Sequence, residues 1–195
     1  MLTGHTVPGD TRKRQPMRVY VPLTLPALSE AHGAGELGPA PVEAYAVTPA
    51  LRAWWGSEDE EELEYAALRQ AAGASLRLLA EQYEAARRRV VVVAEAAEAT
   101  VAVADEGDET AGDARSADED ESVVGRVRLT AAVPFTKAAA VHLDAEDAVD
   151  DVTAAVGALS AASSGDEKAQ QVVDRTEDHE LLWFATQEIP ALIGG

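Results

Sequence analysis

The most informative segment of this sequence for chemistry is the string His179-Glu-Leu-Leu-Trp-Phe-Ala-Thr-Gln-Glu188, with the acidic turn from Asp174 before it. Read as a helix, spacings of four place His179, Trp183 and Gln187 on one face, and Glu177, Leu181, Phe184 and Glu188 on another. The second face sets carboxylates beside large apolar groups. A buried carboxylate is costly unless paired, so Glu177 or Glu188 should meet Arg18, Arg126 or Arg128 on a strand, or else face a cleft. The chemistry this suits is binding: a small-molecule pocket with Trp183 as a wall and His179, Gln187 and Glu188 as polar contacts. A docking helix whose polar groups satisfy loop backbone explains the same pattern and is the commoner arrangement.

Other chemistries find less support. His179-Glu180 begins a zincin-like string, but the second imidazole is needed four residues on, and that position is Trp183. The cluster from Asp174 to Glu180, joined by the distant His142-x-Asp144, is the remaining place for metal-dependent hydrolysis, and neither a metal nor a cofactor is expected there. Gly33, Gly35 and Gly38 follow a helix, whereas phosphate-binding loops precede one. No Gly-x-Ser-x-Gly elbow exists, and Ser75 and Ser160 sit in helical patterns.

Composition narrows the classes further. The formal charge of −19 argues against nucleic-acid phosphate as a partner. Residues 105–121 hold nine of the carboxylates against Arg115, a local net of −8 that leaves −11 for the remainder. There is no cysteine, hence no disulfide framework or thiolate chemistry, which fits a reducing cytoplasm. No apolar run approaches the ~18 residues of a membrane span, and the first sixteen residues lack the apolar core of a secretory signal. A cytoplasmic address is the most economical.

The elements that must position the candidate site centre on a long helical pattern from Glu60 that ends at Arg87-Arg88-Arg89 and feeds into the strand Val90–Val93. Leu63, Ala67, Ala71, Ala74 and Leu78 form one apolar stripe, and Tyr65, Leu68, Ala72, Leu76, Leu79 and Tyr83 form a second beside it. So wide an apolar arc predicts a helix wedged between a sheet and at least one further helix. Thr24 with Pro26, Thr48 with Pro49, and Ser57 or Asp59 read as helix starts, and Asp144 or Asp147 as the cap of a helix through Val149–Leu159. Strands are expected at Met17–Val21, Val42–Val47, Val90–Val93, Val123–Leu129 and Ala139–Leu143, and a last helix over Asp166–Ile189. Residues 1–16 read as a flexible extension and 104–121 as a disordered acidic loop, most simply a tolerated insertion. The expectation is a single α/β (α+β) domain over 17–193, with a mixed sheet of about five strands covered by helices.

Three blocks carry a resemblance: Met17-Arg-Val-Tyr-Val-Pro-Leu-Thr-Leu, Ala44-Tyr-Ala-Val-Thr-Pro-Ala-Leu, and His179-Glu-Leu-Leu-Trp-Phe-Ala-Thr-Gln-Glu-Ile-Pro. Together they resemble a family of small proteins of unknown function from Streptomyces and related actinobacteria. The resemblance implies an intracellular protein of about this size, with residues 1–16 lying before the family's usual start. It implies no activity, cofactor or catalytic residue. The leading expectation is therefore a non-enzymatic interaction or regulatory module with a protein partner or a second copy of itself, and with neither nucleic acid nor membrane. The alternative is a small-molecule-binding protein or enzyme with its pocket at the C-terminal helix, and a metal-dependent hydrolase comes third.

Overall fold

Three side-chain caps start the helices in the first half of the chain, as seen in a computed structural model that describes residues 16–103 and 124–194. Strand β1 (Pro16–Leu23) runs into Thr24, whose hydroxyl accepts from Ala27 N and opens α1 (Leu25–Ala34). After β2 (Glu36–Leu37) and β3 (Val42–Tyr45), Thr48 does the same for α2 (Pro49–Trp55). Asp59 accepts from Glu61 N and Glu62 N at the start of α3 (Glu60–Glu81). Each cap satisfies amides that a helix leaves without partners. Helix α3 stops at Glu81, short of the arginine triplet. Arg87 turns back instead and donates to the carbonyls of Leu79, Gln82 and Tyr83, closing the helix C-terminus.

The remaining elements are β4 (Val90–Ala97), β5 (Val101–Val103), β6 (Arg126–Leu129), β7 (Val133–Pro134), β8 (Ala138–Leu143), α4 (Val149–Ser163), α5 (Glu167–Asp174), β9 (Leu182–Phe184) and α6 (Ile189–Ile193). Seven strands form one sheet in the order β5-β6-β3-β1-β4-β8-β9, and β2 with β7 makes a small separate ribbon. Every pairing is antiparallel, which corrects the expected mixed sheet. The five expected strands are present. The additional ones, β2, β5, β7 and β9, are two or three residues long, too short to show a period of two. The central ladder joins β1 to β4 over eight residues, from Pro16↔Ala97 to Leu23↔Val90. Among the described residues no helix is long and apolar enough to cross a membrane. The acidic stretch 104–121 and residues 1–15 of the expected extension lie outside the described residues.

Both faces of the sheet are covered, which is why Val90–Val93 is apolar without alternation. Val19, Val21, Val90, Val92, Val141 and Leu143 face α1 and α6, where they meet Leu28 and Ile189. Tyr20, Tyr45, Val91, Val93 and Ala140 face α3 and its first stripe, Leu63, Ala67, Ala71 and Ala74. From the second stripe, Leu76 and Leu79 pack against Ala148, Val152 and Ala155 at the base of α4. The expected wedge is thus present over the second half of α3.

Two expectations about polar residues fail here. Neither Asp144 nor Asp147 caps α4, which follows a 3₁₀ turn and takes Ala148 as its first flanking residue. Asp144 lies fully buried between the end of β8 and the start of β4. It accepts from Arg89 through the backbone amide (2.7 Å), Nε (2.9 Å) and Nη2 (2.7 Å). The last helix also breaks. Asp166 caps only α5, a 3₁₀ turn follows over Arg175–Asp178, and Leu182–Phe184 pairs with β8 as an edge strand. Leu182, Trp183 and Phe184 are bulky residues that suit a pleated surface, and their pairing partners lie some forty residues back along the chain.

Removing one member of a buried ion pair strands the other. Asp144→Asn should therefore cost about 3–5 kcal/mol in urea unfolding, with the double change Arg89→Met, Asp144→Leu costing far less than the two singles added. Single-variant losses below about 1 kcal/mol would show that this pair does not hold the fold.

Candidate functional site

The two apolar stripes of α3 diverge in what they meet. Leu63, Ala67, Ala71 and Ala74 of its first stripe stay on the sheet. From its second stripe, Leu76 and Leu79 pack against α4, whereas Tyr65, Leu68 and Ala72 line a space beside it. The gap is a cavity of about 700 Å³ between α3, α4, α5, the following turn and β8. Its apolar lining comes from Tyr65, Leu68, Leu76, Leu159, Val173 and Leu181. Gly73 lies in the α3 wall, and a Cβ added there would meet nothing within 4 Å. A glycine inside a helix costs about 1 kcal/mol relative to alanine, so its isolated appearance in an otherwise strong helical pattern is a signal the sequence does carry.

The polar lining hangs from one guanidinium. Beyond its hold on Asp144, Arg89 Nη2 donates to the His179 carbonyl at 3.1 Å and so fixes the chain that crosses the cavity rim. The His179 ring lies 2.8 Å from Asp151 Oδ2 through Nε2, which joins the same rim to α4. Arg69 on α3 pairs with Glu177 across the opening. The expected partners therefore change: Glu177 takes Arg69, and Arg18 takes Glu64 at 2.8 Å. Ser163 and Thr176 also line the cavity, and their hydroxyls donate to the carbonyls of Leu159 and Val173 within their own turns.

His142 forms part of the floor, on the α3-facing side of β8. Its Nδ1 is buried and makes no hydrogen bond. Burial holds the imidazole below the ordinary histidine range, partly opposed by a backbone hydrogen bond to Leu181, so the ring is kept neutral. Beside the cavity, and sharing Tyr65, Leu68 and His142 with it, lies a smaller hollow of about 330 Å³ where Trp183 sits next to Tyr20, Arg18 and Glu64. Burial and the Glu64 carboxylate keep the Tyr20 phenol protonated well above its usual range.

Of the four residues expected to form the pocket, His179 lines the cavity and Trp183 lines the adjoining hollow. Gln187 and Glu188 line neither. They lie in the 3₁₀ turn before α6, where a Glu188 oxygen accepts from Ala185 N at 2.8 Å. The reason is the strand: with Leu182–Phe184 extended, positions 179, 183 and 187 no longer stack. Among the described residues no three His, Asp or Glu side chains converge to hold a metal ion, and the 174–180 cluster is spread along its turn. The floor residues Arg89 and His142 and the wall residue Gly73 were not singled out as a pocket by local spacing, because only the packing of α3 against β8 brings them together.

The first similarity block runs from β1 to the first residue of α1, the second from β3 into α2, and the third crosses the cavity rim, β9 and the start of α6. All three are built around the main sheet and its edge. The chain belongs to DUF6912, a family of unknown function. The DUF6912 model matches residues 17–193, from within β1 to the last residue of α6. No curated protein and no solved structure matches the chain.

The neutral, half-buried His142 has a consequence for stability. Its folded pKa lies below the unfolded value of about 6.5, so between the two the unfolded chain binds more protons and stability falls as pH falls. Between about pH 7 and pH 5 the native protein should lose more thermal stability than His142→Gln does. Equal losses in the two proteins would show that His142 contributes nothing to acid sensitivity.

Proposed function

We propose that this protein is a non-enzymatic cytoplasmic binding module of regulatory type, whose ligand is a small organic molecule held in the cavity beside α3. The observation that carries this reading is the cavity itself. Its volume of about 700 Å³ falls inside the usual range of about 300–1,000 Å³ for ligand pockets, and it pairs apolar walls with a few fixed polar groups. One feature supports binding over turnover: the hydroxyls of Ser163 and Thr176 are engaged with their own backbone, which disfavours either as a nucleophile. In this reading His179 orients the rim, Trp183 walls the adjoining hollow, and Gln187 and Glu188 shape the turn into α6.

The test uses Gly73. Gly73→Leu should stabilise α3 by roughly 1 kcal/mol through helix propensity while filling the cavity. Native mass spectrometry of the protein isolated from its own host should then show an added mass of hundreds of daltons on the natural chain and none on the variant. A bare natural chain, or a variant that keeps the mass, would overturn the proposal.

A second reading, an interaction module, is favoured by β9. It is the edge of the main sheet, and Leu182 and Trp183 are 47% and 61% exposed. An exposed apolar edge strand is a template for pairing with another strand, here β9 of a second copy. Sedimentation should show a dimer that Trp183→Lys converts to monomer without loss of thermal stability; a natural chain that stays monomeric at high concentration removes this reading.

A further inference from the structure

The smaller hollow is built on one row of the sheet. On the α3-facing side, Tyr20 pairs with Val93 across β1 and β4, and Val93 pairs with Ala140 across β4 and β8. These side chains are its floor, and Arg18, two residues before Tyr20, lies on the same face. Trp183 borders it from the edge strand, where its partner in the β8–β9 register is His142. The opposite wall is α3, on which Glu61, Glu64, Tyr65 and Leu68 share a face at spacings of three and four.

The aromatic rings and the charges of this lining point the same way. Tyr20, Tyr65 and Trp183 border one space of about 330 Å³. None of them touches another ring, since the only ring-to-ring contact among the described residues joins His32 to Phe135. Tyr65 and Trp183 are 49% and 61% exposed. Arg18 Nη1 donates to both Glu64 oxygens, at 2.9 and 2.8 Å, so that pair is self-compensating. Glu61 forms no ion pair among the described residues and leaves the hollow with a negative balance.

Aromatic faces attract cations through the ring quadrupole, tryptophan most strongly. A primary ammonium also brings three N–H donors, and few side chains here could accept them. Glu64 is taken by Arg18, and beyond Tyr20 the floor is Val93, Ala139 and Ala140. A methylated ammonium has no donor to satisfy, and its methyl groups suit those apolar side chains.

We infer that this hollow binds the trimethylammonium head of a small molecule, bordered by Tyr65 and Trp183 over the Tyr20 floor, with Glu61 as the counter-charge. The net charge of −19 favours approach of such a cation. The site does not depend on the larger cavity, which shares Tyr65 with it but neither Tyr20, Trp183 nor Glu61.

Choline serves as the probe in an NMR titration, read from the Trp183 indole and the backbone amides around the hollow. One analogue carries a tert-butyl group in place of the trimethylammonium and keeps the shape without the charge. Ethanolamine keeps the charge without the methyl groups. Choline should bind at least about threefold more tightly than either. Trp183→Leu, an exposed change, should weaken choline about tenfold and the tert-butyl analogue less than about twofold. Glu61→Gln should weaken choline and flatten its salt dependence. Gly73→Leu, which fills the neighbouring cavity, should leave choline binding unchanged. Loss of binding in Gly73→Leu would place choline in that cavity and overturn the assignment without touching the cavity reading. Equal binding of choline and its tert-butyl analogue, preference for ethanolamine, or unmoved resonances at tens of millimolar choline would also overturn it. Tighter binding of a peptide carrying trimethyllysine would overturn the small-molecule source.

Discussion

The buried contact between Arg89 and Asp144 ties together parts of the chain that nothing local connects. Arg89 immediately precedes β4 and Asp144 immediately follows β8, fifty-five residues apart, and the same guanidinium reaches the His179 carbonyl ninety residues away. A charge pair taken out of water is favourable only when its hydrogen bonds are complete. Here Asp144 receives three bonds from Arg89 through its side chain, while its backbone carbonyl accepts from Arg88 Nε at 2.7 Å. The pair sets where β4 and β8 end relative to each other, and the rim of the cavity hangs from it. Precise placement of the His179 segment is therefore a property of the core, although the segment itself lies at the surface.

Helix α3 divides the molecule into functions by face. One side is a packing surface of alanine and leucine against the sheet, and small side chains let the helix approach closely. Polar groups pin it along its length. Ser75 Oγ donates to Leu23 O and accepts from Val90 N, and Gln70 accepts from Gly125 N. Gly125 has no room for a side chain, since a Cβ would come within 2.6 Å of the Gln70 oxygen. Gly73 lies on the cavity wall of the same helix, with Tyr65, Leu68 and Leu76. A helix so fixed on one side can border a cavity on another without sagging into the space.

Much of this was legible in the sequence where the physics is local. Thr24, Thr48 and Asp59 begin helices because capping depends on residues three positions apart. The two stripes of α3 announced its two partners. Misreading began where local pattern and tertiary pairing disagree. Residues 179–188 satisfy a helical spacing on paper, but Leu182–Phe184 gains its backbone partners from β8, and three residues cannot display which period they follow. Asp144 has the type and position of a cap, and its actual role depends on an arginine that sequence proximity does not reveal. The candidate cavity shares this character: His179 came from a visible cluster, whereas His142, Arg89 and Gly73 join it only through the packing of distant elements.

The strand order carries a further consequence for how the chain reaches this structure. β1 lies at the centre of the sheet beside β4, yet α1, α2 and α3 all intervene between them in the sequence. The longest ladder therefore closes a loop of more than sixty residues before any of its hydrogen bonds can form, and the next pairing waits for β8. Contacts of such separation must overcome chain entropy first and are slow to form. The capped helices, α3 above all, are the parts that can organise early and shorten the effective search. In such a chain a weak helix start at Asp59 would be felt as delayed assembly of the sheet, well beyond the helix that the residue caps.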